Sequence, residues 1–178
     1  MSIFRISRIA LCAALVVVAT FVRFPLGFVP VMFTAQVYMV LTVGLLLGAK
    51  DGALALTVYL LIGLAGVPVF TRGGGFGTLA TPEGGYLVGF IGMAAVAGGL
   101  GKVKPWLAAL AGIAALYLVA LPYIAIQQSI LGTPVAAGRL LSAYFLSFLP
   151  LDIVKAVLAA LTAQGLKRAA PSLFARQS

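Results

Sequence analysis

The chain has 178 residues, of which 63% are apolar and only 8% charged, and its mean hydropathy is +1.19. A soluble domain needs roughly 25% charged residues to coat its surface, so this composition excludes a water-soluble globular protein and makes lipid the natural solvent. The net charge of +9 does not indicate nucleic-acid binding, because the basic residues stand singly or in pairs between apolar runs instead of clustering on one soluble face.

The length suits a single integral membrane domain, 1–178, with about six spans of roughly 20 residues joined by short loops. No stretch remains for a nucleotide-binding domain, so any ATP-driven step needs another polypeptide. The first apolar run extends from about Ile6 to Val22. Arg5 and Arg8 before it would also suit a signal peptide, but no A-x-A cleavage site follows and the run reads as a span. Further runs cover Val31 to Leu47, Ala53 to Val69 and Tyr86 to Leu100. A fifth, Trp106 to Leu131, contains Pro122, which should kink it. The last region, Leu140 to Leu166, is interrupted by Pro150, which reads as the first residue of the final helix after an interfacial segment carrying Arg139.

Six spans place both termini on one side. That side then holds Arg5, Arg8, Lys50, Lys102, Lys104, Lys167, Arg168 and Arg176, against Arg23, Arg72 and Arg139 on the other. The excess of basic residues predicts cytoplasmic termini. Gly44, Gly48 and Gly52, and again Gly85 and Gly89, recur at four-residue spacing, which lets helices approach closely in lipid. Packing within the bundle is the expected use of these glycines. Ala10 and Ala14 share the spacing and suit either packing or a partner.

The chemistry available is narrow. There is no His, and Cys12 is the single cysteine, so no intrachain disulfide, Cys/His zinc site or His-based acid/base catalysis is possible. Among the three acids, Asp51 beside Lys50 reads as a turn residue, and Glu83 after Thr81-Pro82 as a first-turn helix residue favoured by the dipole. Asp152 and Lys155 are different: three residues apart in the last span, they share a face where each charge costs roughly 3 kcal/mol to insert unless paired or facing a cavity. A structural ion pair would be cheaper as two leucines. The couple offers an acceptor and a cationic donor, suited to a polar ligand with N–H groups and a carboxylate.

Two loops on the same side could complete a site. One carries Thr34 and Gln36, and the other, 66–85, carries Arg72 followed by a glycine run that suits a mobile ligand lid. Gly75-Phe-Gly-Thr-Leu-Ala80 fits a dinucleotide fingerprint only superficially, since no strand precedes it and no acid follows about 20 residues later.

Several segments resemble a known family in order along the chain. Pro30-Val-Met-Phe-Thr-Ala-Gln36, Leu45-Leu-Leu-Gly-Ala-Lys-Asp-Gly-Ala53, Tyr59 to Phe70, Gly84-Gly-Tyr-Leu-Val-Gly-Phe90 and Leu149-Pro-Leu-Asp-Ile-Val-Lys155 are similar to segments of the BioY family, the biotin-capturing S components of energy-coupling factor (ECF) transporters. The resemblance runs from about residue 28 to 160. It implies an all-α, polytopic six-helix bundle that takes biotin as transported ligand without a cofactor, and works with a transmembrane coupling protein and two ATPases. It further implies that Asp152 binds the ureido N–H groups and Lys155 the valerate carboxylate, or the reverse, while Thr34, Gln36, Gly85 and Tyr86 line the pocket. Ala10 and Ala14 match the small residues of the family's first span that meet the coupling protein. Two positions depart from the pattern: Glu83 stands where Thr is expected, and Arg72 interrupts the glycine loop. A self-sufficient secondary transporter competes with this reading, though no ionisable residue lies deeper along a path and no inverted repeat is visible. An intramembrane enzyme lacks the residues for common hydrolytic chemistry.

Overall fold

The computed structural model describes residues 2–25, 33–100 and 104–174. The segment 28–32 of the first loop, and Lys102 and Arg176 of the basic set, lie outside them. The fold is all-α: α1 (Ile3–Phe21), α2 (Gln36–Leu64), α3 (Pro82–Gly99), α4 (Pro105–Ile130), a short α5 (Ala137–Leu141), α6 (Leu149–Ala169) and a final turn α7 (Pro171–Phe174). The extended segments are a two-residue ladder that pairs Arg23 with Thr34 and Phe24 with Phe33.

Helix α2 is a hairpin. Gly48 sits at φ 82° and ψ 176°, a left-handed conformation that L side chains avoid, and the chain reverses there. The Gln36 amide nitrogen reaches the Tyr59 hydroxyl at 2.8 Å, whereas 23 residues of straight helix would separate them by about 34 Å. Gly48 therefore serves the turn rather than the packing expected of it, since a Cβ there would meet nothing within 4 Å. The other glycines of the two sets do pack. A Cβ on Gly44 would lie 2.6 Å from the Ala94 carbonyl, and one on Gly89 2.8 Å from Leu116.

With α2 folded double, the described residues hold six helical rods: α1, the arms 36–47 and 49–64, α3, α4 and α6. Four helical stretches are long and apolar enough to cross a membrane by themselves: α1, the whole of α2, α4 and 137–169. The count of six therefore comes from the hairpin and from α3, whose 18 residues include Glu83 and several glycines. Helix α4 continues through Pro122. Pro150 falls in the first turn of α6, and the exposed α5 carries Arg139 before it, as expected.

One end of the bundle gathers the start of α1, the α2 hinge and the C-terminal turn. The Arg5 guanidinium holds Asp51 at 2.5–3.0 Å, so Asp51 fastens α1 to the hairpin beyond its expected place in the turn. Arg8 donates to the Leu173 carbonyl at 2.7 Å. Both ends of the described chain thus lie at one end of the bundle. The apolar core lies between the arms of α2, α3 and α4, where Val40, Leu41, Met93, Ala97, Ala108 and Leu116 are fully buried. Large apolar side chains such as Leu118, Ile130 and Leu161 face outward, the arrangement expected of a bundle whose surroundings are lipid.

Candidate functional site

At the opposite end, the starts of three helices and one turn converge on a cavity. Its walls are Thr34, Gln36 and Val37 from the start of α2, Thr71 from the loop before α3, Glu83, Tyr86, Leu87 and Phe90 from α3, and Phe148, Asp152 and Lys155 from the start of α6. The free space between these walls, its open mouth included, is about 450 Å³.

Each polar group is placed by local structure. Helix α2 has no side-chain cap on Ala35, and the Thr34 hydroxyl accepts the Gln36 N–H at 3.2 Å in its stead. That hydroxyl donates to the Gln36 side-chain oxygen at 3.1 Å, and the Gln36 nitrogen continues to Tyr59. Tyr59 donates to the Val69 carbonyl at 3.1 Å, so the α2 end and the following loop share one polar chain. On α6, Asp152 lies in the first turn, where the helix dipole favours a carboxylate, and Lys155 follows on the same face.

The couple is buried and compensated. Lys155 Nζ lies 2.9 Å from Asp152 Oδ1, with side-chain exposures of 11% and 3%. Tyr117 of α4 donates to Asp152 Oδ2 at 2.6 Å, and Nζ stands 3.8 Å from the centroid of the Phe33 ring, a cation–π contact. The charges remain available to a guest, because an ammonium carries three protons and each carboxylate oxygen two lone pairs. Tyr86 and Phe148, with ring centroids 6.2 Å apart, supply an apolar wall. Hydroxyl and amide groups, a carboxylate, an ammonium and aromatic faces in one cavity suit a small ligand with N–H donors, an acid and an apolar body.

Of the residues singled out in the sequence, Asp152, Lys155, Thr34, Gln36 and Tyr86 meet at this cavity. Gly85 does not line it. It faces α4, where a Cβ would lie 3.0 Å from the Ala120 carbonyl, and its smallness serves helix packing. Arg72 is exposed and outside the lining, and its neighbour Thr71 turns inward instead. Ala10 and Ala14 lie on the exposed face of α1, not within the bundle. Glu83 reads from sequence as a helix-start residue. In the structure it is 7% exposed and accepts from the backbone N–H and the hydroxyl of Thr71. Tyr117 escaped the sequence reading, and its one available signal is a phenol in mid-span that must find a partner when buried. Among the described residues no group of acids and sulfurs could hold a metal ion.

The family model described as the BioY family matches residues 1–172. The chain belongs to the BioY family. The match contains the whole stretch, about residue 28 to 160, over which the sequence motifs resemble the family. Among BioY relatives, the probable biotin transporter BioY of Lysinibacillus sphaericus is 39% identical over 129 residues, which span 68% of this chain and 65% of that one. The biotin transporter BioY of Rhizobium etli is 36% identical over 166 residues, covering 85% and 86% of the two chains. The crystal structure of the S-component for biotin from an ECF-type ABC transporter superposes with a TM-score of 0.73 at 26% identity, covering 92% of this chain and 90% of that chain. The BioY relatives are named as transporters, which places this chain among transport proteins rather than enzymes.

Proposed function

We propose that this protein is the membrane-embedded, high-affinity biotin-binding S component of an ECF-type vitamin importer. The observation that carries the reading is the compensated Asp152–Lys155 couple facing a cavity with Thr34, Gln36 and aromatic walls. The ureido N–H groups would extend the acceptor set of Asp152, and the valerate carboxylate would pair with Lys155. The apolar body would lie against Tyr86, Phe90 and Phe148. Such a set of contacts is consistent with nanomolar affinity, about −12 kcal/mol. Isothermal calorimetry on the purified protein should show saturable heat with biotin and none with unrelated B vitamins. Absence of heat with biotin would overturn the assignment.

We assign energy coupling to a transmembrane partner and two ATPase subunits, with the Arg5/Asp51 end of the bundle and both termini in the cytoplasm. The basic residues of that end support this orientation, and the exposed small residues Ala10 and Ala14 on α1 offer a flat face to a partner helix. Ala10→Leu with Ala14→Leu should leave biotin affinity unchanged and abolish uptake in cells that carry the coupling module. Uptake that persists in cells lacking every coupling ATPase would instead establish self-sufficient transport.

A further inference from the structure

The loop between α2 and α3 folds to a sharp tip. Phe70 and Gly73 exchange backbone hydrogen bonds at 2.8 and 3.2 Å, which leaves Thr71 and Arg72 at the corner. Gly73 and Gly75 supply the left-handed φ values of 114° and 96° that the turn needs. The base of the tip is anchored: Phe70 is 1% exposed, stands edge-on to Tyr59 at 5.5 Å, and its ring lies where a Cβ on Gly63 would fall. Thr71 alone from 65–81 reaches the cavity wall, and there both its donors go to one oxygen, Glu83 Oε1. Among the described residues, no hydrogen bond occupies Oε2.

A carboxylate that only began a helix would turn to its own first-turn amides or to water. Glu83 instead spends its buried charge on the tip of a loop twelve residues away. We infer that Glu83 is a positioning residue that latches Thr71 over the cavity and so sets how slowly the bound ligand leaves. This inference rests on the biotin-binding reading above. Two charge-assisted bonds to one buried oxygen hold the tip, and a ligand in the cavity can leave past this wall only after they break. Entry past the same wall also needs the tip raised, so the latch slows association as well as release.

The test measures biotin release from the purified full-length protein, together with hydrogen exchange of the Phe70–Gly73 amides in the ligand-free state. Glu83→Ala should speed release by about tenfold or more without slowing association, and the Thr71 amide should lose its protection. Thr71→Val, which keeps the backbone donor, should speed release by a smaller factor, and the double variant should be no faster than Glu83→Ala. Glu83→Gln keeps an oxygen that accepts from Thr71 and should restore most of the slow release. Multiplicative effects in the double variant, or unchanged release in both single variants, would overturn the latch. Should Glu83→Ala not fold, Thr71→Val and Glu83→Gln carry the comparison. Should the wild type bind no biotin, the functional reading fails separately and exchange still decides the latch: unaltered exchange at Thr71 in Glu83→Ala overturns it, and increased exchange supports it.

Discussion

Replacing both members of the buried couple, Asp152→Leu with Lys155→Met, should leave the protein folded and unable to hold biotin. In the wild type, desolvation of two charges is offset by a 2.9 Å contact, the Tyr117 hydroxyl and the Phe33 ring. Removing one partner strands the other. Lys155→Met leaves a carboxylate 97% hidden with only Tyr117 as a donor, and should cost about 3–5 kcal/mol of stability. Removing both replaces the ions by apolar groups of similar volume, a gain of up to about 4 kcal/mol that offsets the roughly 1–3 kcal/mol cost of leaving the Tyr117 hydroxyl without its acceptor. Thermal unfolding in detergent should therefore rank the double variant near the wild type and the single variants below it. Biotin affinity should fall by about ten- to hundredfold in each single variant and by more in the double variant, because each lost charge-assisted bond removes about 1.5–3 kcal/mol. Tyr117→Phe should weaken binding by about tenfold, since it frees Asp152 to reorient without stranding a charge. A double variant that still captured biotin would show the couple to be a purely structural tie between turns of α6.

Gly98→Ala should be among the most damaging single methyl additions in the chain. A Cβ at this position would stand 2.4 Å from the Gly48 carbonyl carbon, 2.6 Å from the Ala49 nitrogen and 2.6 Å from the Gly44 oxygen. All three atoms belong to the hinge of the α2 hairpin, and no side-chain rotation relieves the overlap. The end of α3 must move away from the hairpin, with a loss of about 3 kcal/mol or more. The neighbour provides an internal control. A Cβ on Gly99 would lie 3.6 Å from the Ala49 methyl, an ordinary contact, so Gly99→Ala should melt within about 1 kcal/mol of the wild type. Comparison of melting temperatures and monodisperse yield checks both. Equal melting of the two variants would show that α3 does not rely on backbone contact at Gly98.

Span positions were legible because lipid demands uninterrupted apolar helix, and the runs Ile6 to Val22 and Trp106 to Leu131 fall within a few residues of α1 and α4. The turn near Lys50 and Asp51 was equally legible, since two adjacent charges followed by a glycine separate two apolar runs there. The geometry of that turn was not: in a row of evenly spaced glycines, only the fold reveals that Gly48 bends the chain while Gly44 and Gly52 hold helices together. Expense marked Asp152 and Lys155, because two charges within one apolar helix require a reason. Glu83 carried no such mark. At a helix start a carboxylate is cheap, and its attachment to Thr71 depends on where a loop of glycines folds.

From the residues themselves came the solvent, the helical class, the spans and the charged couple, all set by local composition and by the cost of desolvation. Three features belong to the tertiary structure: the hairpin that turns one long helix into two antiparallel arms, the arrival of Thr71 and Glu83 at the couple's cavity with Tyr117 bonded to Asp152, and the outward face of Ala10 and Ala14. Each depends on contacts between residues distant in the chain. The energy of such a contact is defined only once the backbone has brought its two sides together.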